Sequence, residues 1–255
     1  MNIIARVNEL LKKGDTFCVV TVLESPDPKL PPGSKAIVFK DGTIEGDLES
    51  NQLKPDLGQL AAKALKENKT GIVYFSDEIR IFIDILSREA QLIVCGAGHI
   101  AIPLASFARN VGFSVTVLDD RSDFAQPSRF PDCTVIAENF TIALREMSFG
   151  SSAYVVIITR GHEHDVDCLT EILQKETAYV GLIGSRRRVR FVLEWLEKKG
   201  FSQQRLKEVF TPIGIPIGAE TPEEIALSIV SELVCVRRKG GAQARSLRAV
   251  VGMDS

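Results

Sequence analysis

The chain has 255 residues, 45% hydrophobic and 25% charged, enough to bury a sizeable core and to divide into two domains. Its 31 basic and 33 acidic side chains leave a net charge of −2, which excludes a general electrostatic pull toward nucleic acid or an anionic membrane. No uninterrupted apolar run approaches the ~18 residues of a membrane span. The opening MNIIARVNELLKKGD reads as an amphipathic helix and not a secretory leader, so a cytoplasmic protein is expected.

Ile3, Ile4, Val7, Leu10 and Leu11 recur at helical spacing until Gly14 and Asp15, and FCVVTVL beyond them reads as a buried strand. The proline-rich loop SPDPKLPPGS comes next, then the strand AIVF and a turn at Asp41 and Gly42. A helix near Leu57 to Glu67 and the strands GIVYF and IRIFIDIL complete the segment. These elements predict a small α+β domain over residues 1–88, with its boundary at Ser87 to Ala90.

Residues 89–255 alternate strand runs with helical patterns: LIVC, SVTVL, CTVIA, YVVIIT and AYVGLI, with a helix expected in each interval. The alternation predicts an α/β fold, a Rossmann-like doubly wound parallel sheet. The basic, Gly- and Ala-rich tail after Val236 is expected to be disordered. The five cysteines, at 18, 95, 133, 168 and 235, are odd in number and lack C-x-x-C spacing, which argues against a disulfide framework or structural zinc. Cys95 stands nearest the expected ligand, and the others read as small hydrophobes.

The most informative unit runs from Leu92 to Asp120, where the turn Gly96-Ala97-Gly98-His99-Ile100-Ala101 joins the first strand of this domain to a helix. In a dinucleotide-binding βαβ unit the first glycine permits the tight turn and the second admits a pyrophosphate to the backbone. A small third residue, here Ala101, lets helix and strand pack closely. The helix start then offers free N–H groups and a positive dipole end to an anion. Asp119, 21 residues beyond Gly98, is placed to accept hydrogen bonds from a ribose 2′-OH, with Asp120 and Arg121 beside it. This favours NAD or NADH over NADP, although Arg121 keeps NADP open. Pro103 is compatible with the helix only in its first turn.

All three histidines, His99, His162 and His164, follow apolar strand runs and are candidates for general acid or base chemistry. In open α/β sheets ligands bind at the carboxyl ends of the strands. Gly96 to His99, Asp119 to Arg121, Thr159 to Asp165 and Gly184 to Arg187 therefore converge on one crevice. Thr159, Arg160 and His162 read as ligand-contacting or helix-capping loop residues; a metal held by His162 and His164 beside Asp165 is the lesser reading, because no further ligand is evident. Gly184, Ser185, Arg186 and Arg187 open another helix, with Ser185 as N-cap. Cations there oppose the helix dipole unless an anion sits between them and the N–H groups. Thr221, Pro222 and Glu224 form a capping box after a constrained loop at Gly214, Pro216 and Gly218.

The combination GAGHIA (96–101), LDDR (118–121), SRFP (128–131), YVGLIGSRRR (179–188) and IGAETPEEIALSI (217–229) resembles the XdhC/CoxI family over most of residues 91–236. The resemblance implies a small N-terminal domain joined to a Rossmann domain. It further implies an accessory protein that holds molybdenum cofactor (molybdopterin) while a sulfur donor installs the terminal sulfur, then delivers it to an apo molybdenum hydroxylase of the xanthine dehydrogenase type. Family members carry Ser-Pro-Arg and a GSIGGG-type loop where this chain has Ser25-Pro26-Asp27 and EGDLES at 45–50, so carry-over is confined to the Rossmann crevice. An NAD-dependent oxidoreductase, with the acidic loop Glu45 to Glu49 as one wall of its pocket, and an NAD(H)-sensing regulatory protein are the other readings. A homodimer is compatible with the apolar strand edges.

Overall fold

The amphipathic opening forms α1 (Ile3–Lys13), and the β-branched run after it forms β1 (Phe17–Glu24). The computed structural model describes residues 2–13, 15–48, 54–67, 69–86 and 89–250, so Gly14, Glu49 and Ser50, Ser87 and Arg88 of the expected domain boundary, and residues 251–255 of the basic tail are among those outside the described residues. β2 (Lys35–Val38), β3 (Ile44–Gly46), α2 (Lys54–Glu67), β4 (Gly71–Tyr74) and β5 (Arg80–Leu86) follow. The strands make an antiparallel sheet in the order β3-β2-β1-β5-β4. Alternation along β1 sends Cys18, Val20 and Val22 to one face, where they pack with Leu57 and Ala61 of α2. Phe17 and Ile37 pack with Leu10 of α1 in a second cluster. β3 is an element the sequence pattern did not announce. It pairs with β2 across the Asp41–Gly42 turn and carries Glu45, whose carboxylate takes two hydrogen bonds from Arg6, at 2.8 and 3.0 Å.

The chain divides into compact units at Met1–Arg88 and Glu89–Ser255. The second unit holds β6 (Gln91–Cys95), α3 (Ala101–Asn110), β7 (Ser114–Asp119), a 3₁₀ turn at Pro127–Arg129, β8 (Thr134–Ala137) and α4 (Phe140–Glu146). β9 (Gly150–Ile157), α5 (His162–Ile172), β10 (Thr177–Leu182), α6 (Arg186–Lys198), α7 (Gln203–Leu206), α8 (Pro222–Lys239) and α9 (Gly241–Val250) complete it. Its five strands are all parallel, ordered β10-β9-β6-β7-β8. Counted within the unit this is the 3-2-1-4-5 order of a doubly wound sheet, with the direction of winding reversing between β6 and β9. One face packs Leu104, Ala108, Ile229 and Leu233 from α3 and α8, and the other packs Leu144, Leu169 and Val192 from α4, α5 and α6.

Two expectations are corrected. No helix connects β7 to β8: the connection is the 3₁₀ turn, started by Pro127 and anchored by Phe130, which is buried in the α3 face of the core. The basic tail is ordered helix among the described residues. α8 runs past Val236 to Lys239, where Arg237, Arg238 and Lys239 suit the negative end of its dipole. After Gly240, α9 buries Ala244 in the core and lays the Arg245 guanidinium 3.9 Å from the Phe210 ring centroid. No helix among the described residues is long and apolar enough to cross a membrane.

Gly96 sits where β6 meets β9, at φ 114°. A Cβ there would lie 2.6 Å from the Ile158 carbonyl oxygen and 3.1 Å from the Thr159 nitrogen, both backbone atoms of the neighbouring strand end. Gly96→Ala is therefore expected to destabilise the protein by at least about 2 kcal/mol, from positive φ and backbone clash together. Urea unfolding measures this, and a loss below about 0.5 kcal/mol, the level of an ordinary surface substitution, would show that the strand ends can part.

Candidate functional site

Beyond Gly96 the turn opens. A Cβ at Gly98 would meet no atom within 4 Å, His99 is exposed, and Ile100 leads into α3 without a side-chain cap. The first N–H groups of α3 therefore have no side-chain acceptor from the N-cap. Ala101 is fully buried, as close packing of the helix on the sheet requires, and Pro103 lies in the first turn, where its missing N–H costs no helical bond.

Asp119 closes this turn from the end of β7. It is 1% exposed. Its Oδ2 accepts from Ala97 N–H at 2.7 Å and Arg121 Nη2 at 2.9 Å, and its Oδ1 from Arg121 N–H at 3.0 Å and Nε at 2.8 Å. A carboxylate offers about four acceptor positions, and all are filled. Burial would raise the Asp119 pKa, but the Arg121 guanidinium and the two backbone N–H groups hold it below the usual range. Arg121 also lies over the Phe124 ring, 3.7 Å from its centroid. Asp120 turns outward and pairs through both oxygens with Arg160 from the end of β9, the Oδ2 bond measuring 2.8 Å. Arg160 holds the Asp120 pKa down at about 2.

At the end of β9 a second buried carboxylate organises the loop. Asp165 is wholly buried. It lies 2.6 Å from the Thr159 hydroxyl and 2.6 Å from Arg188 Nε, while Arg188 Nη2 donates to the Thr159 carbonyl at 3.1 Å. Thr159 Oγ1 also lies 3.0 Å from the Gly161 carbonyl, and one hydroxyl proton cannot serve both acceptors. The hydroxyl therefore donates either to Asp165 Oδ1 or to the Gly161 carbonyl. Burial pushes the Asp165 pKa up, and the bonds from Thr159 and Arg188 only partly offset this.

The remaining candidates separate. His162 and His164 stand in the first turn of α5. His162 is exposed and packs edge-to-face on Phe191 at 5.0 Å, and His164 lies 5.4 Å from Phe140. Among the described residues no three His, Cys, Asp or Glu side chains gather as a metal site. Ser185 caps α6 by accepting from Arg188 N–H, and Gly184 leaves room for the Arg188 side chain, 3.4 Å from where a Cβ would stand. Arg186 lines a separate groove of about 750 Å³ with Val189, Arg190, Leu206 and Pro212, and Arg187 is exposed. Of the three adjacent arginines, Arg188 is the one built into the β9 loop. Glu45 is bound to Arg6, and Asp27 accepts from Lys29 N–H at 2.8 Å within its own turn. Cys95 is buried and shares a hydrogen bond with Cys168, whose thiol burial pushes well up, so Cys168 is not reactive as it stands.

Residues 92–233 match the XdhC Rossmann domain, and residues 10–76 match the XdhC and CoxI family. The chain belongs to the XdhC and CoxI family. The match at its N-terminal end makes Ser25-Pro26-Asp27 and the 45–50 segment variations within that family. The chain is similar to the uncharacterized protein YqeB of Escherichia coli, 26% identical over 253 residues, covering 93% of this chain and 46% of that protein. It is 31% identical over 167 residues to a probable xanthine dehydrogenase subunit from Bacillus subtilis, covering 65% of this chain and 48% of that protein. A crystal structure of a xanthine dehydrogenase from Bacillus halodurans superposes with a TM-score of 0.68 at 27% identity, covering 96% of this chain and 69% of that one. The chain spans about half the length of the curated relatives it matches.

Arg188→Ala removes the counter-charge of a fully buried carboxylate, a change expected to cost about 3 kcal/mol near pH 8. Because the folded pKa of Asp165 is raised, its ionisation weakens the fold progressively as pH rises through that value, and the penalty is absent below the unfolded pKa of about 3.9. The cost of the substitution should therefore shrink toward pH 5. Urea unfolding at the two pH values tests this; equal losses would assign Arg188 a packing role only.

Proposed function

We propose that this protein is an accessory factor for maturation of a molybdenum hydroxylase of the xanthine dehydrogenase type. It holds a phosphate-bearing cofactor, molybdenum cofactor or a dinucleotide such as NAD(H), in the crevice between β6 and β9. The observation that carries the reading is the Gly96–Ala101 turn at the reversal point of a 3-2-1-4-5 parallel sheet, in a chain of the XdhC and CoxI family. The open backbone at Gly98 and the side-chain-free start of α3 fit a phosphate or pyrophosphate, the group that molybdopterin and dinucleotides share. Molybdenum cofactor, once bound, is the cargo whose terminal sulfur completes the client enzyme. The chain's own residues supply the cradle: Gly96, Ala97, Gly98, His99 and Ile100 from the turn, Asp120 and Arg121 beyond β7 with Asp119 holding Arg121 in place, and Thr159, Arg160 and His162 from the β9–α5 loop and the start of α5. An apo hydroxylase and a sulfur donor are the partners this role requires.

Gly98→Leu tests the cradle without disturbing the fold, because the added side chain projects into open space. Anaerobic calorimetric titration with molybdenum cofactor, and with NAD and NADH, is expected to show affinity lost at least tenfold in the variant while its melting temperature stays within a few degrees of wild type. Unchanged affinity for every ligand that binds would remove the turn from the site. Failure of the wild-type protein to restore activity to an apo hydroxylase would sink the maturation role.

A further inference from the structure

The C-terminal end of β7 carries an arrangement that the dinucleotide fingerprint alone does not require. Asp119 has no acceptor position left for a ribose hydroxyl, since Ala97 N–H and three donors of Arg121 occupy both its oxygens. A hydroxyl reaching it must displace a buried, charge-assisted pair, which neutral donors do poorly. Asp120 is occupied differently. Its partner Arg160 comes from the end of β9, and because β6 lies between β9 and β7, this ion pair crosses above the end of β6. Its side chains are 42% and 25% exposed, so it is a weak and breakable bridge. Arg160 and Arg121 lie close enough that the charge of one acts on the other, and Arg129 stands a further step away, 5.3 Å from the Phe124 ring centroid that Arg121 covers at 3.7 Å. Two guanidiniums thus converge on one strand end, one fixed by a buried acid and one held by an exposed acid.

We propose that Arg160, on leaving Asp120, joins Arg121 to form a subsite for a phosphomonoester, so that the crevice selects ligands carrying a terminal phosphate over those presenting a free ribose diol. The inference rests on the crevice reading above and deepens it. A phosphomonoester carries nearly two negative charges and three acceptor oxygens against one charge and two oxygens for a carboxylate, so it outcompetes Asp120 for a planar guanidinium fork. Asp120 then acts as an internal competitor that keeps Arg160 across the crevice until such a ligand arrives. Arg160 holds the Asp120 pKa well below the usual carboxylate range, so the competitor is ionised near neutral pH and substitution is the direct way to remove it. A dinucleotide 2′-phosphate has this chemistry, and so does the single phosphate of molybdopterin, which occupies this subsite in place of the Gly98 turn when the pterin is the ligand.

The test compares three probes on the full chain by calorimetry: adenosine 2′,5′-bisphosphate, adenosine 5′-monophosphate and molybdenum cofactor, the last under anaerobic conditions. If the phosphate comes from a nucleotide, the bisphosphate binds at least tenfold tighter than the monophosphate. That ratio falls toward one in Arg160→Ala and rises in Asp120→Asn. If it comes from the pterin, the nucleotides bind weakly, and molybdenum cofactor affinity falls at least tenfold in Arg160→Ala and rises in Asp120→Asn. Binding that neither substitution moves, or that Asp120→Asn weakens, overturns the subsite and leaves the crevice standing. No binding of any probe to the wild-type protein overturns the crevice reading and the subsite with it. Circular dichroism confirms folding, and Arg160→Lys, which keeps the charge without the fork, should give an intermediate loss.

Discussion

A contact between backbones sets the geometry of the Rossmann unit. The Gly96 Cα faces the Ile158 carbonyl so closely that a methyl group there would stand 2.6 Å from the oxygen. Absence of a side chain lets the strand ends approach where the winding of the sheet reverses. Ile158 N–H then donates to the Cys95 carbonyl at 2.9 Å, extending the ladder to the lip of the crevice. Everything placed on that lip, from the Gly98 backbone to the Thr159 loop, takes its position from this approach. A crevice at a winding reversal is held open by the divergence of the flanking helices, so the backbone of the turn needs no moving part to be exposed.

Charge neutralisation between strand ends holds the lip in shape. Asp119 gathers the Ala97 N–H and Arg121, while Asp165 gathers Thr159 and Arg188, so each buried carboxylate ties a loop to another element. The two acids face opposite balances. Four donors surround Asp119 and keep it ionised, whereas burial dominates at Asp165 and favours its proton. Such pairs add little net stability, because desolvation consumes most of the Coulomb gain, but breaking one is costly, and this gives loops a single arrangement. Asp120 and Arg160 differ in kind: their pair is partly exposed and spans the end of β6, so solvent screens it as it does not screen the two buried pairs.

The rest of the unit supports those loops. Phe130 replaces a crossover helix by filling the core beneath the β7–β8 connection, which leaves Arg121, Phe124 and Arg129 free to build an aromatic and cationic wall at the β7 end. On the same face α8 returns beside α3, where Arg237 donates to the Val111 and Gly112 carbonyls at the end of α3. Glu232, buried within α8, receives the Tyr179 hydroxyl and the Gly214 N–H, pinning the loop before the Thr221 capping box.

Local pattern determined a great deal by itself. The five parallel strands, the Gly96–Ala101 turn, Ser185 and Thr221 as caps, and the placement of Pro103 in a first turn all follow from periodicity and from residue-specific backbone limits, which act within a few residues. The charge partners did not follow, because a guanidinium stands at the end of a long flexible stem and finds its acid wherever the sheet brings one. Arg188 and not Arg186 entered the β9 loop, Arg121 filled the acid expected to await a ribose, and Arg160 crossed to Asp120 from two strands away. Asp165 left one legible trace, a carboxylate on the apolar stripe shared by Cys168, Leu169 and Ile172, but what satisfies it lies 23 residues onward at Arg188. The basic tail read as disordered because its few apolar residues are too sparse to fold alone. Ala244 found burial only because Phe210 and α8 had already built a surface for it, and that surface exists in the tertiary structure alone.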